Sequence, residues 1–131
     1  MTTDSVIKVC HVTSVHHRYD VRILHKECQS LAKNGYQVYL LVVDDRPDEP
    51  VGSVEIVSTS FVARNRFQRI ILAKRIIKRK MKEIDADIYH FHDPELLSTA
   101  AWVKRMGKAV IFDFHEDASR QILFKSWIPR I

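Results

Sequence analysis

The fold of this chain is decided by the stretch VIKVCHVTSVHHRYDVRILHKECQSLAKNGYQVYLLVV, which runs from Val6 to Val43. It opens with an almost wholly apolar run, Val6–Val12, which predicts a buried strand. Asp20 can cap the helix that follows, and the apolar pattern carries this helix to Asn34, after which a glycine ends it. A second apolar run, Val38–Val43, predicts another buried strand. Strand, helix and strand in this order indicate a right-handed, parallel βαβ unit.

The rest of the chain repeats this alternation. Three further strands are predicted, at Val54–Ser58, Ile88–His92 and Lys108–Phe114. Three further helices are predicted, over Phe67–Ile84, between Asp93 and Gly107, and from Asp117 to Ser126. The proline-containing segment Asp44–Ser53 is predicted to be a loop. We therefore expect an α/β fold, with one Rossmann-like, three-layer αβα domain over residues 1–131 and a parallel sheet of about five strands.

Composition excludes several classes of protein. The 131 residues are 46% hydrophobic and 28% charged, as in an ordinary globular domain. The apolar runs are far shorter than the ~20 residues that span a bilayer, and no signal peptide is evident. Two lone cysteines, Cys10 and Cys28, suit a reducing compartment. We therefore expect a cytoplasmic protein.

The formal net charge of +5 comes from one segment. The stretch Arg64–Lys82 holds nine of the 21 lysines and arginines and no acid, whereas the remainder has 12 basic against 16 acidic residues. On an amphipathic helix such cations are either solvated or lie on an anionic membrane surface. The candidates for membrane contact are Arg66, Arg69, Lys74, Arg75, Lys78, Arg79 and Lys82. Nucleic-acid binding is disfavoured because this stretch carries a single aromatic residue, Phe67, for base stacking, and no recognised nucleic-acid module surrounds it.

Histidines, arginines and acids follow the predicted strands at the edge where the strands end. The candidate site residues are His16, His17, Arg18, Asp20 and Arg22 after the first strand, His90, His92 and Asp93 at the fourth, and His115 and Glu116 after the fifth. Because the carboxyl ends of parallel strands open onto one crevice, these residues are expected to converge there. Among them, Arg18 is the candidate for holding an anionic substrate group, and Asp20 either caps its helix or binds substrate.

The first loop argues against a dinucleotide cofactor. It reads TSVHHRYDVR and contains no glycine, so its backbone lacks the close approach to a pyrophosphate that a dinucleotide site requires. Asp44, which ends the second strand, is then more typical of a turn residue than of a ribose-binding acid.

His90 and His92 keep a metal site open as an alternative. They alternate along one strand and therefore share a face, and His115 with Glu116 could complete a zinc or iron site. This interpretation indicates a metal-dependent hydrolase domain. The competing interpretation is that His90 packs in the sheet and His92 lies in the crevice without a metal. A non-catalytic module that docks on a membrane through the basic stretch is a third hypothesis.

Three motifs of the chain together resemble a known family. They are HVTSVHHRYDVRILHKECQSLAKNGYQVYLL, ADIYHFHDPELL and FDFHEDASRQIL. The chain resembles, roughly from Val6 to Pro129, the amino-terminal domain of a bacterial glycosyltransferase of the GT-B fold, in the family 4 branch of retaining enzymes that build polysaccharides.

The resemblance implies an activity for the complete enzyme. It would move a sugar, with retention of configuration, from a nucleotide-sugar donor to a saccharide or lipid-linked acceptor in cell-surface polysaccharide synthesis. No metal or other cofactor is implied. The amino-terminal domain would mainly receive the acceptor, and a carboxy-terminal domain, which this sequence lacks, would hold most donor contacts. The chain alone is then expected to be inactive, and the enzyme to be cytoplasmic or peripheral on the inner face of the plasma membrane.

The resemblance also implies roles for single residues. His115 matches a histidine that approaches the donor sugar, and it is the catalytic candidate. Residues of this chain also match two other parts of the family's site. The residues that match the family's first loop are His16, Arg18, Asp20 and Arg22, and those that match the end of its fourth strand are His92 and Asp93. Many members of the family carry a Gly-Gly pair in the first loop, where this chain has His16-His17. That departure argues against a phosphate-cradling role for the loop backbone.

Overall fold

Six strands form a single sheet within residues 5–62 and 64–113, which are the residues that the computed structural model describes. The strands are β1 (Lys8–Val12), β2 (Gln37–Val42), β3 (Glu49–Val51), β4 (Val54–Ser58), β5 (Ile88–Phe91) and β6 (Ala109–Phe112). They lie in the order β3-β4-β2-β1-β5-β6, and all neighbours are parallel except β3 and β4. The predicted α/β class and parallel sheet are confirmed.

β3 corrects the prediction of a loop over Asp44–Ser53. Glu49–Val51 pairs antiparallel with β4 and adds a sixth strand at the edge of the sheet. The hairpin turn begins at Gly52, whose φ of +59° suits the first position of a two-residue turn. Pro50 is tolerated because an edge strand has one side without a ladder partner. The prolines and acids of this segment, which are typical of loops, concealed the strand.

Three helices connect the strands within the described residues. Helix α1 comprises a π-helical segment, Val21–Cys28, and an α-helical segment, Gln29–Lys33. Helix α2 comprises Arg66–Gln68, the π-helical Arg69–Ala73 and the α-helical Lys74–Ile84. Helix α3 begins with a 3-10 turn, Pro94–Leu96, and continues as Leu97–Arg105. The helix predicted from Asp117 to Ser126, and the end of the last predicted strand at Phe114, lie outside the described residues.

Local sequence signals place the ends of these elements. The carboxylate Oδ1 of Asp20 accepts a hydrogen bond from the Ile23 N–H at 2.9 Å, so Asp20 caps α1. Gly35, with a φ of +90°, follows that helix as a left-handed residue that favours glycine. The first strand is shorter than predicted: Val6 and Ile7 precede β1 and are exposed.

The helices cover the sheet from both sides and make three layers. On one face, Ile23, Leu24 and Cys28 of α1 pack on apolar residues of β2 and β4. On the other face, residues of α2 and α3 such as Ile77 pack on alternate residues of β1 and β5 such as Phe91. Successive strand residues point to opposite faces, so the histidines that alternate with this second core lie on the α1 side.

Candidate functional site

The strand order places a crevice between β1 and β5. From β1 the chain builds one half of the sheet through β2 and β4, and then returns to build the other half through β5 and β6. The order therefore reverses between β1 and β5, and the connections that follow these two strands lead to helices on opposite faces of the sheet. Open α/β sheets bind ligands outside the carboxyl ends of the strands at such a point. The loop after β1 and the residues after β5 are the walls of this crevice.

Asp93, directly after β5 and His92, joins the two walls. Its side chain is almost completely buried, with 1% of the residue exposed. Its carboxylate accepts hydrogen bonds from the Thr13 hydroxyl at 2.6 Å and from the Ser14 N–H at 2.7 Å. The Ser14 hydroxyl in turn donates to Glu95, in the first turn of α3. The buried carboxylate therefore fixes the start of the first loop against β5.

His16 contacts the carboxylate of Asp93 at the point where the crevice opens to solvent. Its Nδ1 lies 2.8 Å from Oδ1 of Asp93, and its side chain is 28% exposed. The His16 N–H also donates to the Thr13 hydroxyl at 3.1 Å. An imidazole that donates from Nδ1 to a carboxylate presents Nε2 as a proton acceptor when the ring is neutral. The arrangement can therefore bind and polarise a hydroxyl group. We call Thr13, His16 and Asp93 the crevice triad.

The structure brings some predicted site residues together and separates others. His16 and Asp93 meet, as expected from their positions after two neighbouring strands. His17 is exposed and packs beside Tyr19, whose N–H donates to its ring at 3.1 Å. Asp20 is a helix cap. His115 and Glu116 lie outside the described residues, so their predicted roles stay predictions.

Arg18 is buried, with only 2% of the residue exposed. Its guanidinium forms a two-bond ion pair with Asp44, at 2.8 and 2.7 Å, and also donates to Glu49 at 3.1 Å and to the Pro47 carbonyl at 2.9 Å. Partial burial alone would raise the pKa of Asp44, but hydrogen bonds from Arg18 and Ser58 outweigh it and hold that pKa below its usual range. The position of Arg18 favours a structural role over the predicted contact with an anionic substrate group.

A second group of polar side chains lies on the sheet face that α1 covers. It consists of His11 from β1, His90 from β5, His92 directly after β5, and Glu27 from α1, and we call it the histidine cluster. The three rings stack with centroids 4.5 to 5.0 Å apart. Nδ1 of His11 lies 2.7 Å from Nε2 of His92, a hydrogen-bond distance. His92 is buried beneath the crevice wall, with 2% of the residue exposed.

Burial shifts the pKa values of two members of the histidine cluster, Glu27 and His90. Burial, reinforced by the charge of Asp113 at the end of β6, raises the pKa of Glu27, while the charge of Arg22 on the same helix opposes the rise. Burial lowers the pKa of His90, although Asp113 lies 3.4 Å from its Nε2. Sequence reasoning did not single out His11 or Glu27. The available signal was a histidine in the middle of an otherwise apolar strand.

The basic residues of α2 divide into two groups. The first group contacts α3: Lys78 and Lys82 lie over the Trp102 ring, at 5.1 and 5.6 Å from its centroid, and Lys74 donates to Ser98 at 3.0 Å. The second group has exposed side chains and consists of Arg66, Arg75 and Arg79. Arg69, the remaining candidate for membrane contact, also belongs to this helix. Among the described residues, no helix has the length and apolarity needed to cross a membrane.

Comparison with known proteins decides the family. The sequence model of Glycosyltransferase Family 4 matches residues 21–131, which is most of the chain. The chain belongs to Glycosyltransferase Family 4. A solved structure of sucrose-phosphate synthase from Thermosynechococcus elongatus is similar to this family 4 domain, with a TM-score of 0.56 and 14% identity over 88% of this chain and 67% of that chain. At such low identity the likeness concerns the fold alone. A search of curated proteins found no significant match.

Family membership confirms the resemblance drawn from the three motifs. The Rossmann-like architecture and the family 4 assignment together identify an amino-terminal glycosyltransferase domain of the GT-B kind. The family match supports glycosyl transfer as the general activity. The family match begins at Val21, so it includes α1 and β5 but not β1 or the first loop. The crevice triad therefore rests on the geometry described above.

Proposed function

We propose that this domain forms the acceptor side of an enzyme that transfers a sugar from a nucleotide-sugar donor to a saccharide or lipid-linked acceptor in cell-surface polysaccharide synthesis. The observation that carries the proposal is the crevice triad at the reversal point of a family 4 sheet. Carboxylate, imidazole and hydroxyl groups are suited to recognising a sugar hydroxyl. The partly exposed ring of His16 is the group that an acceptor would meet first.

The remaining parts of the reaction are assigned to groups outside the described residues. A carboxy-terminal domain would bind the nucleotide and its phosphates. His115 would hydrogen-bond the donor sugar and stabilise the charge that develops as the bond from the anomeric carbon to the phosphate breaks, the nucleoside diphosphate leaves and the acceptor hydroxyl forms the new glycosidic bond. The transfer would retain configuration and use no metal ion.

Substitution of His115 tests the donor-side part of this proposal. In the complete enzyme, His115→Ala is expected to lower the rate of sugar transfer by about 100-fold, the usual effect of removing one group that stabilises transition-state charge. The rate should be measured with saturating donor. His25→Ala is the matched control, because His25 is exposed on α1 and should leave the rate unchanged. Full activity in His115→Ala would remove the assigned role.

We further propose that the enzyme docks on anionic membrane through the first turns of α2. That helix begins after the carboxyl end of β4, so its first turns lie at the crevice edge of the sheet. Phe67 is 71% exposed there, and Ile71 and Leu72 are 41% and 38% exposed. The exposed cations Arg66 and Arg75 flank these apolar side chains. Apolar insertion beside cations is the pattern of peripheral helices on anionic lipid.

Liposome flotation tests this docking. Phe67→Ser is expected to lower the fraction bound to phosphatidylserine vesicles by about tenfold, because insertion of a phenylalanine is worth roughly 1.5–3 kcal/mol. Binding should also fall as salt is raised. Met106→Ser is the matched control: Met106 is 46% exposed but follows α3 at the opposite edge of the sheet. Equal binding of the two variants, or equal binding to neutral vesicles, would contradict the docking surface.

A further inference from the structure

The histidine cluster has the composition and spacing of a metal site. Four potential ligands come from three different elements, and their ligand atoms all lie within 4.8 Å of one another. Oε2 of Glu27 lies 3.9 Å from Nδ1 of His11 and 3.7 Å from Nε2 of His92. With the 2.7 Å between those two nitrogens, these three atoms outline a small triangle. A ring nitrogen of His90 is the fourth potential ligand atom and lies within 4.8 Å of the other three.

The size of this triangle matches what a small divalent cation requires. Ligand atoms at Zn–N and Zn–O distances of about 2.0–2.1 Å on a tetrahedron lie roughly 3.3 Å from one another. The three separations in the cluster, 2.7, 3.7 and 3.9 Å, bracket that value. If each side chain moved by about half an ångström, all three separations would reach about 3.3 Å. Small rotations about the side-chain bonds are enough for such a movement.

The surroundings of the cluster also favour a cation. His11 and His92 are 0% and 2% exposed, so the centre of the cluster is shielded from water. The cluster contains the carboxylate of Glu27, and a second carboxylate borders it: Oδ2 of Asp113 lies 3.4 Å from Nε2 of His90. A divalent ion would balance both negative charges at a site where burial otherwise makes charge costly. Three imidazoles with a carboxylate are ligands that zinc and its neighbours accept.

We propose that His11, Glu27, His90 and His92 bind a divalent metal ion of the zinc class. The ion would tie α1 to β1 and to the end of β5, and so would hold the floor of the crevice beneath the crevice triad. This role is structural, so it is independent of the proposed sugar transfer and of whether that reaction needs a metal. It departs from the expectation that the protein holds no metal. It also differs from the site predicted with His115 and Glu116, because His11 and Glu27 take their places.

Metal titration of the purified, untagged protein tests the proposal. After treatment with a chelator and its removal, the protein is titrated with Co²⁺ and with Zn²⁺. We expect one equivalent to bind, with visible cobalt absorption typical of nitrogen and oxygen ligands. Zn²⁺ at 100 times its Kd should raise Tm by roughly 10 °C. Absence of saturable one-equivalent binding by the unmodified protein would overturn the proposal.

Variants locate the ion. His92→Ala and Glu27→Gln should each weaken Zn²⁺ binding by more than the roughly 10- to 100-fold that loss of an outer partner costs. Glu27→Gln keeps the size of the side chain, so it remains decisive if His92→Ala fails to fold. The matched controls are His25→Ala on the exposed face of α1 and His16→Ala in the crevice triad. If binding survives in Glu27→Gln or is lost in His16→Ala alone, the ion lies elsewhere and the proposal is wrong.

Discussion

Replacement of Asp93 by asparagine is expected to lower kcat/KM for the acceptor by on the order of 100-fold in the complete enzyme. The carboxylate of Asp93 accepts bonds from Thr13 and Ser14 and holds the ring of His16. An amide in its place turns one acceptor into a donor that faces other donors, so the first loop loses its register against β5. A displacement of about 1 Å at a reacting group is enough for a loss of this size.

The control for Asp93→Asn is Asp85→Asn. Asp85 is an exposed carboxylate at the other edge of the sheet, where it pairs with Lys108 at 2.9 Å, and its left-handed backbone suits asparagine. The Asp85→Asn variant should leave kcat/KM for the acceptor unchanged. Because Asp93 is buried, its variant should also lose about 1–3 kcal/mol of stability, so rates must be compared well below both melting temperatures. Normal acceptor kinetics in folded Asp93→Asn would contradict the crevice triad.

Replacement of Arg18 by methionine is expected to lower the free energy of unfolding by about 2–3 kcal/mol. Removing one member of a fully buried ion pair costs roughly 3–5 kcal/mol, because the other charge stays buried without its partner. Here the value is smaller, since the side chains of Asp44 and Glu49 are 24% and 34% exposed and water can reach them. Denaturant unfolding measures the change.

The same substitution should alter the dependence of stability on pH. The pKa of Asp44 is depressed in the folded state, so its contribution to stability is present well above its usual pKa of 3.8 and is lost as the pH falls toward the folded-state value. Arg18→Met should therefore flatten the acid side of the stability profile. Arg46→Met, on an exposed neighbour, should change stability by less than about 0.5 kcal/mol. Equal effects of the two variants would show that the Arg18 ion pairs are not stabilising.

Most of the fold could be predicted because its signals are local. The stretch from Val6 to Val43 contains an apolar strand, a capped helix, a glycine stop and a second strand, each readable within a few residues. β4 was predicted with the bounds that the structure shows. β3 was missed because its pairing depends on the neighbouring strand, while its own composition is that of a loop.

Topology predicts which residues of the site share an edge of the sheet, but not which of their side chains are buried. Residues after neighbouring parallel strands share an edge, which is why His16 and Asp93 were expected to meet. Which loop side chains turn inward is set by long-range contacts, and the burial of Arg18 against Asp44, 26 positions away, has no local signal. The histidine cluster likewise needs α1 docked on the sheet before Glu27 can reach His11.

Sugar transfer by the complete enzyme tests the central claim most directly. The protein is incubated with labelled nucleotide sugars, one at a time, and with a membrane extract that supplies saccharide and lipid-linked acceptors. We expect one donor to give a labelled product whose formation requires the extract, survives in Asp85→Asn and falls about 100-fold in Asp93→Asn. If folded enzyme forms no product from any donor, or if Asp93→Asn transfers at the unmodified rate, the crevice of this family 4 domain is not the acceptor site.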